Sequence, residues 1–152
     1  MLPGKAIDNT DLRVIEELKL DGRATVRKIG KRLNLPVTTV HNRLRKLVKE
    51  GMVKRFTIEP DYEKLGRGVS SFVFASIDHD KLVDSKHGIE SLKKQLHSFP
   101  EIEKIYAVTG DIDVILFIRV GNVKELDEFL IKKLRSVKGV QKTTTLIVLE
   151  ED

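Results

Sequence analysis

Hydrophobic residues in the first third of the chain recur at intervals of three and four, which is the spacing of amphipathic helices. Asp8 and Asp11 form a helix start signal, and Ile7 is placed to pack on Leu12. We therefore expect a first helix from about Asp8 to Leu20. Its buried face should hold Leu12, Ile15 and Leu18.

Two further helices are predicted in the same region. Thr25 can cap a short second helix, in which Gly30 would allow close approach of another segment. Pro36 suits the first turn of a third helix because its ring fixes φ. On a helical wheel the apolar residues of this third helix form one stripe, made of Val37, Val40, Leu44, Leu47 and Val48. Three short helices with a tight turn before the last are typical of a helix-turn-helix.

The stretch after the third helix, "MVKRFTIEP", alternates apolar and basic residues imperfectly. It is predicted as a strand that leaves the first domain, or as a small wing beside the DNA backbone. Residues 59–68 contain turn formers and lack periodicity, which indicates a linker. The predicted domains are therefore residues 1–58, with the helix-turn-helix, and residues 69–152.

The last ninety residues alternate between the period of strands and the period of helices, in the order βαββαβ. This order predicts a ferredoxin-like fold, so the whole chain should belong to the α+β class. Right-handed crossovers place both helices on one face of such a sheet. The predicted strand "VILFIRV" is nevertheless apolar on both faces, with Val114, Leu116 and Ile118 on one and Ile115, Phe117 and Val120 on or near the other. A second copy that covers the bare face would explain this pattern, which predicts a homodimer or a higher oligomer.

Charge is distributed unevenly along the chain. Residues 1–60 carry 14 Lys and Arg against 7 Asp and Glu, whereas residues 61–152 carry 14 against 16. Between Arg23 and Arg55 there are 11 basic residues and a single acid, Glu50. Such a concentration favours a polyanionic partner, although a solvated lysine-rich surface would give the same count.

The polar face of the third helix contains Thr, Asn, Arg and Lys but no carboxylate. Exposed helices usually mix Glu with Lys, so this face suits the phosphates and base edges of DNA. Arginine can bond guanine, asparagine can pair with adenine, and threonine can contact the methyl group of thymine. Base selectivity is assigned to Thr38, Asn42 and Arg45, with Thr39 and His41 beside them. Phosphate contacts are assigned to Arg23, Arg27, Lys28, Arg43, Lys46 and Lys49.

Several classes of function lack support in the composition. The chain has no cysteine, so disulfides, thiolate nucleophiles and cysteine-based zinc sites are excluded. No phosphate-binding loop, catalytic triad or apolar run of membrane-spanning length is present. The histidines show no metal-ligand spacing; they are His41, His79, His87 and His97. We expect a cytoplasmic protein that is not an enzyme, without cofactor, metal or membrane partner.

At the level of whole motifs the chain resembles the Lrp/AsnC family of transcription regulators, in its archaeal form. The resemblance is carried by "IDNTDLRVIEELKLDGR", "TTVHNRLRKLVKEGMVKRFTI", "VTGDIDVILFIRV" and "GVQKTTTLIVL", in the family's order. It implies a winged helix-turn-helix followed by an amino-acid-binding module, in dimers that join into tetramers, octamers or larger rings. One departure is Pro36, where many members have serine, so the hydroxyl cap is absent.

The resemblance also implies an effector site in the loop at Thr109, Gly110, Asp111 and Asp113. Gly110 exposes its backbone, and the two carboxylates could accept hydrogen bonds from the ammonium group of an amino acid. A Gly-Asp pair is also typical of an ordinary hairpin turn, so both interpretations stay open.

The leading hypothesis is a sequence-specific transcription regulator that binds double-stranded DNA as a dimer and responds to a small amino acid. A second is a tetrapyrrole decarboxylase, because proteins that resemble the family carry out this reaction on the same frame. Its candidate residues would be His79, His87 and His97. A third is an architectural protein that compacts DNA with little selectivity.

Overall fold

The computed structural model describes residues 7–78 and 88–150. The chain divides into two compact units, Met1–Glu59 and Pro60–Asp152. Each unit has its own hydrophobic core. Within the described ranges, no helix has the length and apolar character needed to span a membrane.

The first unit contains three helices: α1 (Asn9–Leu20), α2 (Val26–Leu33) and α3 (Val37–Lys49). Helix α1 begins with a capping box, in which the Asp8 carboxylate accepts from the Asp11 N–H at 2.9 Å and the Asp11 carboxylate accepts from the Asp8 N–H at 3.3 Å. The Thr25 hydroxyl accepts from the Lys28 N–H at 3.2 Å and caps α2. Both predicted helix starts are confirmed.

The core of the first unit is small and centres on four fully buried side chains, Val14, Ile29, Val40 and Leu47. The prediction that Leu12 faces this core was wrong, because Leu12 is 51% exposed while Asp11 is fully buried. The buried stripe of α1 is therefore rotated toward Asp11 and Val14. The apolar pattern could not show this rotation, because one of the buried positions is a carboxylate. On α3, Val37 and Val48 are also exposed, so its buried stripe is narrower than predicted.

The turn between α2 and α3 is tight. Asn34 ends α2 in the left-handed conformation, at φ 54° and ψ 49°, and the Leu35 N–H donates to the Gly30 carbonyl at 2.8 Å. A Cβ atom at position 30 would lie 2.8 Å from the Leu35 carbonyl oxygen, which confirms the close approach predicted for Gly30. Pro36 precedes the first turn of α3 and provides no side-chain cap.

The strand predicted in "MVKRFTIEP" does not form within the described residues, so that prediction was wrong for the single chain. Residues 54–60 have neither helical nor strand structure. Phe56 is 54% exposed and Ile58 is 76% exposed. A strand requires a hydrogen-bonding neighbour, and no described segment pairs with this one.

The second unit is built on a four-stranded sheet of β1 (Val69–Ile77), β2 (Ile102–Ala107), β3 (Val114–Val120) and β4 (Val140–Ile147). The strand order is β2-β3-β1-β4 and every pairing is antiparallel. Helix α4 (Gly88–His97) joins β1 to β2, and α5 (Val123–Glu128) follows β3 and continues through a π-helical turn, Phe129–Lys133, and a 3-10 turn, Leu134–Ser136. This is the predicted βαββαβ order, so the fold is α+β with a ferredoxin-like second unit.

Both helices of the second unit pack on one face of the sheet. Leu96 of α4 and Phe129 beyond α5 join Leu116 and Ile118 in its core. Val120 also belongs to this core, which corrects its expected position near the other face. The opposite face carries Phe72 and Phe117, whose ring centroids lie 4.9 Å apart, and the partly exposed side chains of Phe72 (37%), Tyr106 (46%) and Leu146 (55%).

The segment predicted as a linker, residues 59–68, belongs almost entirely to the second unit, since the division falls after Glu59. The Tyr62 ring lies 3.9 Å from the guanidinium carbon of Arg119. Arg67 donates to the carbonyl oxygens of Pro100 and Arg119, each at 2.8 Å. Sequence periodicity missed these contacts because they are made by side chains of a non-repetitive turn.

Candidate nucleic-acid interface

One side of α3 is exposed and free of carboxylates. Five of the predicted DNA-binding residues are exposed on this side of the helix, as their spacing in the sequence requires. They are Thr38, His41, Asn42, Arg45 and Lys49. Within the described part of the chain, none of these five side chains makes a hydrogen bond or an ion pair. Their donors and acceptors are therefore available to an external partner.

The remaining predicted contacts are placed differently. Thr39 is half-buried on α3. Arg23 is exposed just before α2, and Arg27 is exposed in the first turn of α2. Lys28 is exposed but forms an ion pair with Asp21 at 2.7 Å. This pair is solvated, so it would cost little to break on binding a phosphate.

Arg43 and Lys46 turn away from the exposed side and pair with the start of α1. The Arg43 guanidinium lies 2.5 Å from Asp8 and 2.8 Å from Asp11, and the Lys46 ammonium lies 3.2 Å from Asp11. Their side chains are 27% and 29% exposed. Two residues predicted as phosphate contacts therefore already have internal partners.

This cluster changes the protonation behaviour of its members. Burial raises the pKa of Asp11, but hydrogen bonds from Arg43, the Asp8 N–H and Lys46 outweigh it and leave that pKa below its usual value. The hydrogen bond from Arg43 also lowers the pKa of Asp8. In return, the hydrogen bonds to Asp8 and Asp11 raise the pKa of Arg43. The pKa shifts of Asp8, Asp11 and Arg43 thus all favour the charged form of each group.

Of the 11 basic residues between Arg23 and Arg55, four form ion pairs with described residues. The other seven form none within residues 7–78 and 88–150. Three of these seven are exposed and were not among the predicted contacts: Lys31, Lys54 and Arg55. Only the charge count had included them, because they lie outside the third helix.

The predicted effector loop connects β2 to β3. Thr109, Gly110 and Asp111 are exposed, and Gly110 has φ +117° with open space where a Cβ would be. Asp113 is half-buried, and its carboxylate accepts from the Ile77 N–H at 2.7 Å. The structure therefore separates the two carboxylates, because Asp113 ties the start of β3 to the end of β1 while Asp111 faces solvent.

Metal coordination has no support in the described ranges, where no group of three or more His, Cys, Asp or Glu side chains is placed to hold an ion. His41 and His97 are exposed. His79 and His87, named as candidates for an enzymatic site, lie outside the described residues.

Two family models match the chain. Residues 7–54 match a winged helix-turn-helix DNA-binding model, and residues 70–151 match the Lrp/AsnC ligand-binding domain. The chain belongs to the Lrp/AsnC family. This Lrp/AsnC protein is therefore a transcription regulator with a helix-turn-helix DNA-binding domain and the family's ligand-binding domain.

Relatives of known sequence cover nearly the whole of this Lrp/AsnC chain. An uncharacterised HTH-type transcriptional regulator of Pyrococcus furiosus is 36% identical over 93% of this chain and 91% of its own. The HTH-type transcriptional regulator FL11 of Pyrococcus horikoshii is 35% identical over 95% and 90%.

Solved structures agree with the fold. LrpC of B. subtilis superposes with a TM-score of 0.83 at 30% identity, covering 97% of this chain and 98% of its own. A Neisseria meningitidis transcriptional regulator in complex with L-Met superposes with a TM-score of 0.87 at 25% identity, covering 96% and 92%.

Proposed function

We propose that this regulator reads a specific DNA sequence by inserting the exposed side of α3 into the major groove. The observation that carries the proposal is the set of exposed, carboxylate-free side chains on α3 that have no polar partner in the described part of the chain. An α-helix fits into the major groove, where each base pair presents a distinct pattern of hydrogen-bond donors and acceptors.

The exposed residues divide by chemistry into two roles. Arg45, Asn42 and Thr38 have the groups that distinguish guanine, adenine and thymine at base edges. Lys49, Arg27 and Arg23 have charges that attract phosphates whatever the sequence. The first group is expected to determine which DNA sequence is preferred, and the second to determine the affinity for DNA of any sequence.

A dimer is part of the proposal, with a second copy of the same sheet as the cover for its open face. Phe72, Tyr106 and Leu146 are partly exposed on that face, and a stable dimer would remove their apolar surface from water. Two recognition helices would then read two half-sites about one helical turn, or a multiple of it, apart. Assembly of dimers into tetramers or octamers follows the family resemblance.

The effector is proposed to be a small amino acid bound at the exposed loop Thr109–Asp111. The support is the match to the family's ligand-binding domain and the Neisseria neighbour described with L-Met. Because Asp113 is engaged by the Ile77 N–H, Asp111 is the carboxylate of this loop assigned to the effector's ammonium group. Asp111→Ala should abolish a response of DNA binding to amino acids without altering binding in their absence.

The test is selection of bound fragments from a random DNA pool, followed by titration of the selected duplex and a scrambled duplex. Arg45→Ala should weaken binding to the selected duplex by about 1 to 3 kcal/mol and leave the scrambled duplex almost unaffected. Lys49→Ala is the matched control on the same helix face and should weaken both equally. Equal losses on both duplexes for Arg45→Ala would contradict base reading, and a pool without any enriched sequence would indicate an architectural DNA-compacting protein instead.

A further inference from the structure

The Asp11 carboxylate is the buried centre of a charged cluster that joins α1 to α3. Asp11 is 0% exposed, and its Oδ1 accepts from Arg43 at 2.8 Å while its Oδ2 accepts from Lys46 at 3.2 Å. Asp8 lies at the solvent side of the cluster and also pairs with Arg43, at 2.5 Å. No other fully buried carboxylate occurs among the described residues.

A buried carboxylate is tolerated only while its partners stay in place. If Arg43 and Lys46 left Asp11 to contact phosphates, they would leave a charge uncompensated in the interior of the first unit. The same two side chains are therefore poor phosphate ligands, although their charge and position in the sequence predicted that role.

The two partners of Asp11 also alternate along α3 with the residues proposed to read bases. Arg43 follows Asn42, and Lys46 follows Arg45. Since successive residues on a helix are about 100° apart, two anchors three residues apart fix the rotation of α3 about its axis. That rotation determines where Asn42 and Arg45 point.

We propose that Asp11, Arg43 and Lys46 form a positioning cluster that sets the orientation of α3 and withholds two cations from the DNA backbone. The cluster would determine selectivity rather than general affinity. This inference rests on the proposed function, because it assigns roles within the same DNA-binding surface.

The decisive variant is Asp11→Asn, which keeps the shape of the side chain and removes its charge. It should release Lys46 toward the DNA backbone while Asp8 still holds Arg43, so binding to a scrambled duplex should strengthen about threefold and its dependence on salt should steepen by about one phosphate contact. Preference for the selected duplex should fall about tenfold as the orientation of α3 loosens. Simple damage to the fold would weaken binding instead.

Glu17→Gln is the matched control. Glu17 pairs with Arg32 of α2 at 2.8 Å, so this variant also removes one carboxylate from the first unit and releases one cation, but leaves the cluster at α3 intact. It should strengthen binding to both duplexes equally and keep their ratio.

A second comparison uses the salt dependence of Arg43→Ala and Lys49→Ala. Lys49→Ala should reduce the slope of log K against log salt by about one contact, whereas Arg43→Ala should leave the slope unchanged and reduce the preference. Arg43→Lys should restore part of that preference, because it returns a charge to Asp11. If circular dichroism shows that Asp11→Asn does not fold, this comparison still tests whether Arg43 contacts Asp11 or the DNA backbone in the complex.

Two results would overturn the inference: a reduced slope for Arg43→Ala equal to that of Lys49→Ala, or an unchanged preference in folded Asp11→Asn. Either could occur with intact sequence-specific binding by the unmodified protein. Failure of the proposed function itself would appear separately, as a lack of preference in the unmodified protein.

Discussion

The two units of this regulator bury their interiors in different ways. The first has four buried apolar side chains at its core and adds the ion-paired carboxylate of Asp11, whereas the second has eleven buried core residues on a four-stranded sheet. A small core leaves a narrow margin of stability, so caps, turns and ion pairs matter more there. The unit that carries the proposed DNA surface is thus the one that depends most on single contacts.

The polar clusters of the two units differ in the same direction. In the first unit a carboxylate is buried and its cations reach solvent. In the second, the cation is buried: Arg119 is 6% exposed, stacks on Tyr62 and pairs with Glu103 at 3.3 Å. In these two clusters, therefore, the cations reach solvent in the first unit, whereas the cation is enclosed in the second.

The largest effect is expected from removal of a core side chain. Leu47 and Leu116 are both 0% exposed, one in each unit, and truncation of either to Ala should cost about 2 to 5 kcal/mol. Both tyrosines, Tyr62 and Tyr106, lie in the second unit and there is no tryptophan, so tyrosine fluorescence reports that unit alone. Leu47→Ala should shift a circular dichroism transition in denaturant and leave the fluorescence transition in place, whereas Leu116→Ala should shift the fluorescence transition together with the part of the circular dichroism signal that comes from the second unit. Movement of the fluorescence transition in Leu47→Ala would break the comparison.

A smaller effect is expected at the turn before α3. In Gly30→Ala the new Cβ would lie 2.8 Å from a backbone oxygen of Leu35, which cannot move without shifting the turn, so we expect a loss of about 1 to 3 kcal/mol. Gly22→Ala is the matched control in the same unit, because its nearest atoms lie at 3.7 Å. Thermal unfolding followed by circular dichroism measures both. Equal stability of the two variants would show that the turn is looser than its geometry indicates.

The loss of stability on removal of a helix cap should be smaller again. It allows one more comparison between the units. Thr25 caps α2, and Asn122 caps α5 by accepting from the Glu125 N–H at 3.0 Å. Either substitution to Ala should cost about 1 kcal/mol. Because the first unit has the smaller core, Thr25→Ala should lower its melting temperature more than Asn122→Ala lowers that of the second. Thr25→Ser retains the acceptor and should be nearly neutral.

The smallest effect on stability at neutral pH is expected from the carboxylates. In acid, their effect on the free energy of unfolding should be clear. Hydrogen bonds from cations lower the pKa of Asp8 and Asp21 in the first unit, and Asp11 has a lowered pKa as a net result. In the second unit a hydrogen bond from Lys64 lowers the pKa of Asp61. An Asp with a lowered folded-state pKa stabilises the fold above its unfolded pKa of about 4 and loses that contribution as the pH falls through the folded value.

Part of the free energy of unfolding of the first unit should therefore be lost as the pH falls below about 4. Denaturant titrations at several pH values, followed by circular dichroism, would measure this loss, while tyrosine fluorescence would follow the second unit alone. Asp11→Asn should reduce the acid loss of the first unit and leave the fluorescence transition in place at every pH. An acid loss that is the same in Asp11→Asn and in the unmodified protein would contradict the assignment.

Local signals in the sequence were enough to predict the helix starts, the close approach at Gly30 and the βαββαβ order. Each of these depends on residues near one another along the chain, such as Asp8 with Asp11 or Thr25 with Lys28. The exposed side of α3 was predicted for the same reason, since a helical wheel needs only the residues of that helix.

Features that depend on distant residues were not predictable in this way. A helical wheel cannot show that Asp11 of α1 contacts Arg43 and Lys46 of α3, so the buried carboxylate and the internal partners of these two cations were missed. Asp113 was predicted as an effector residue from the family resemblance, and its hydrogen bond from the Ile77 N–H was missed because it joins residues 36 positions apart. The contacts of Tyr62 and Arg67 with the sheet lie at similar or greater separation.

The turn between α2 and α3 has a consequence for redesign. Its geometry is determined by Gly30, Asn34 and Leu35, and by the backbone of Val37. The outward residues of α3 take no part in it, so Thr38, Asn42 and Arg45 can be exchanged without altering the turn. Under the proposed role of α3, other side chains at these three positions should redirect the regulator to new DNA sequences.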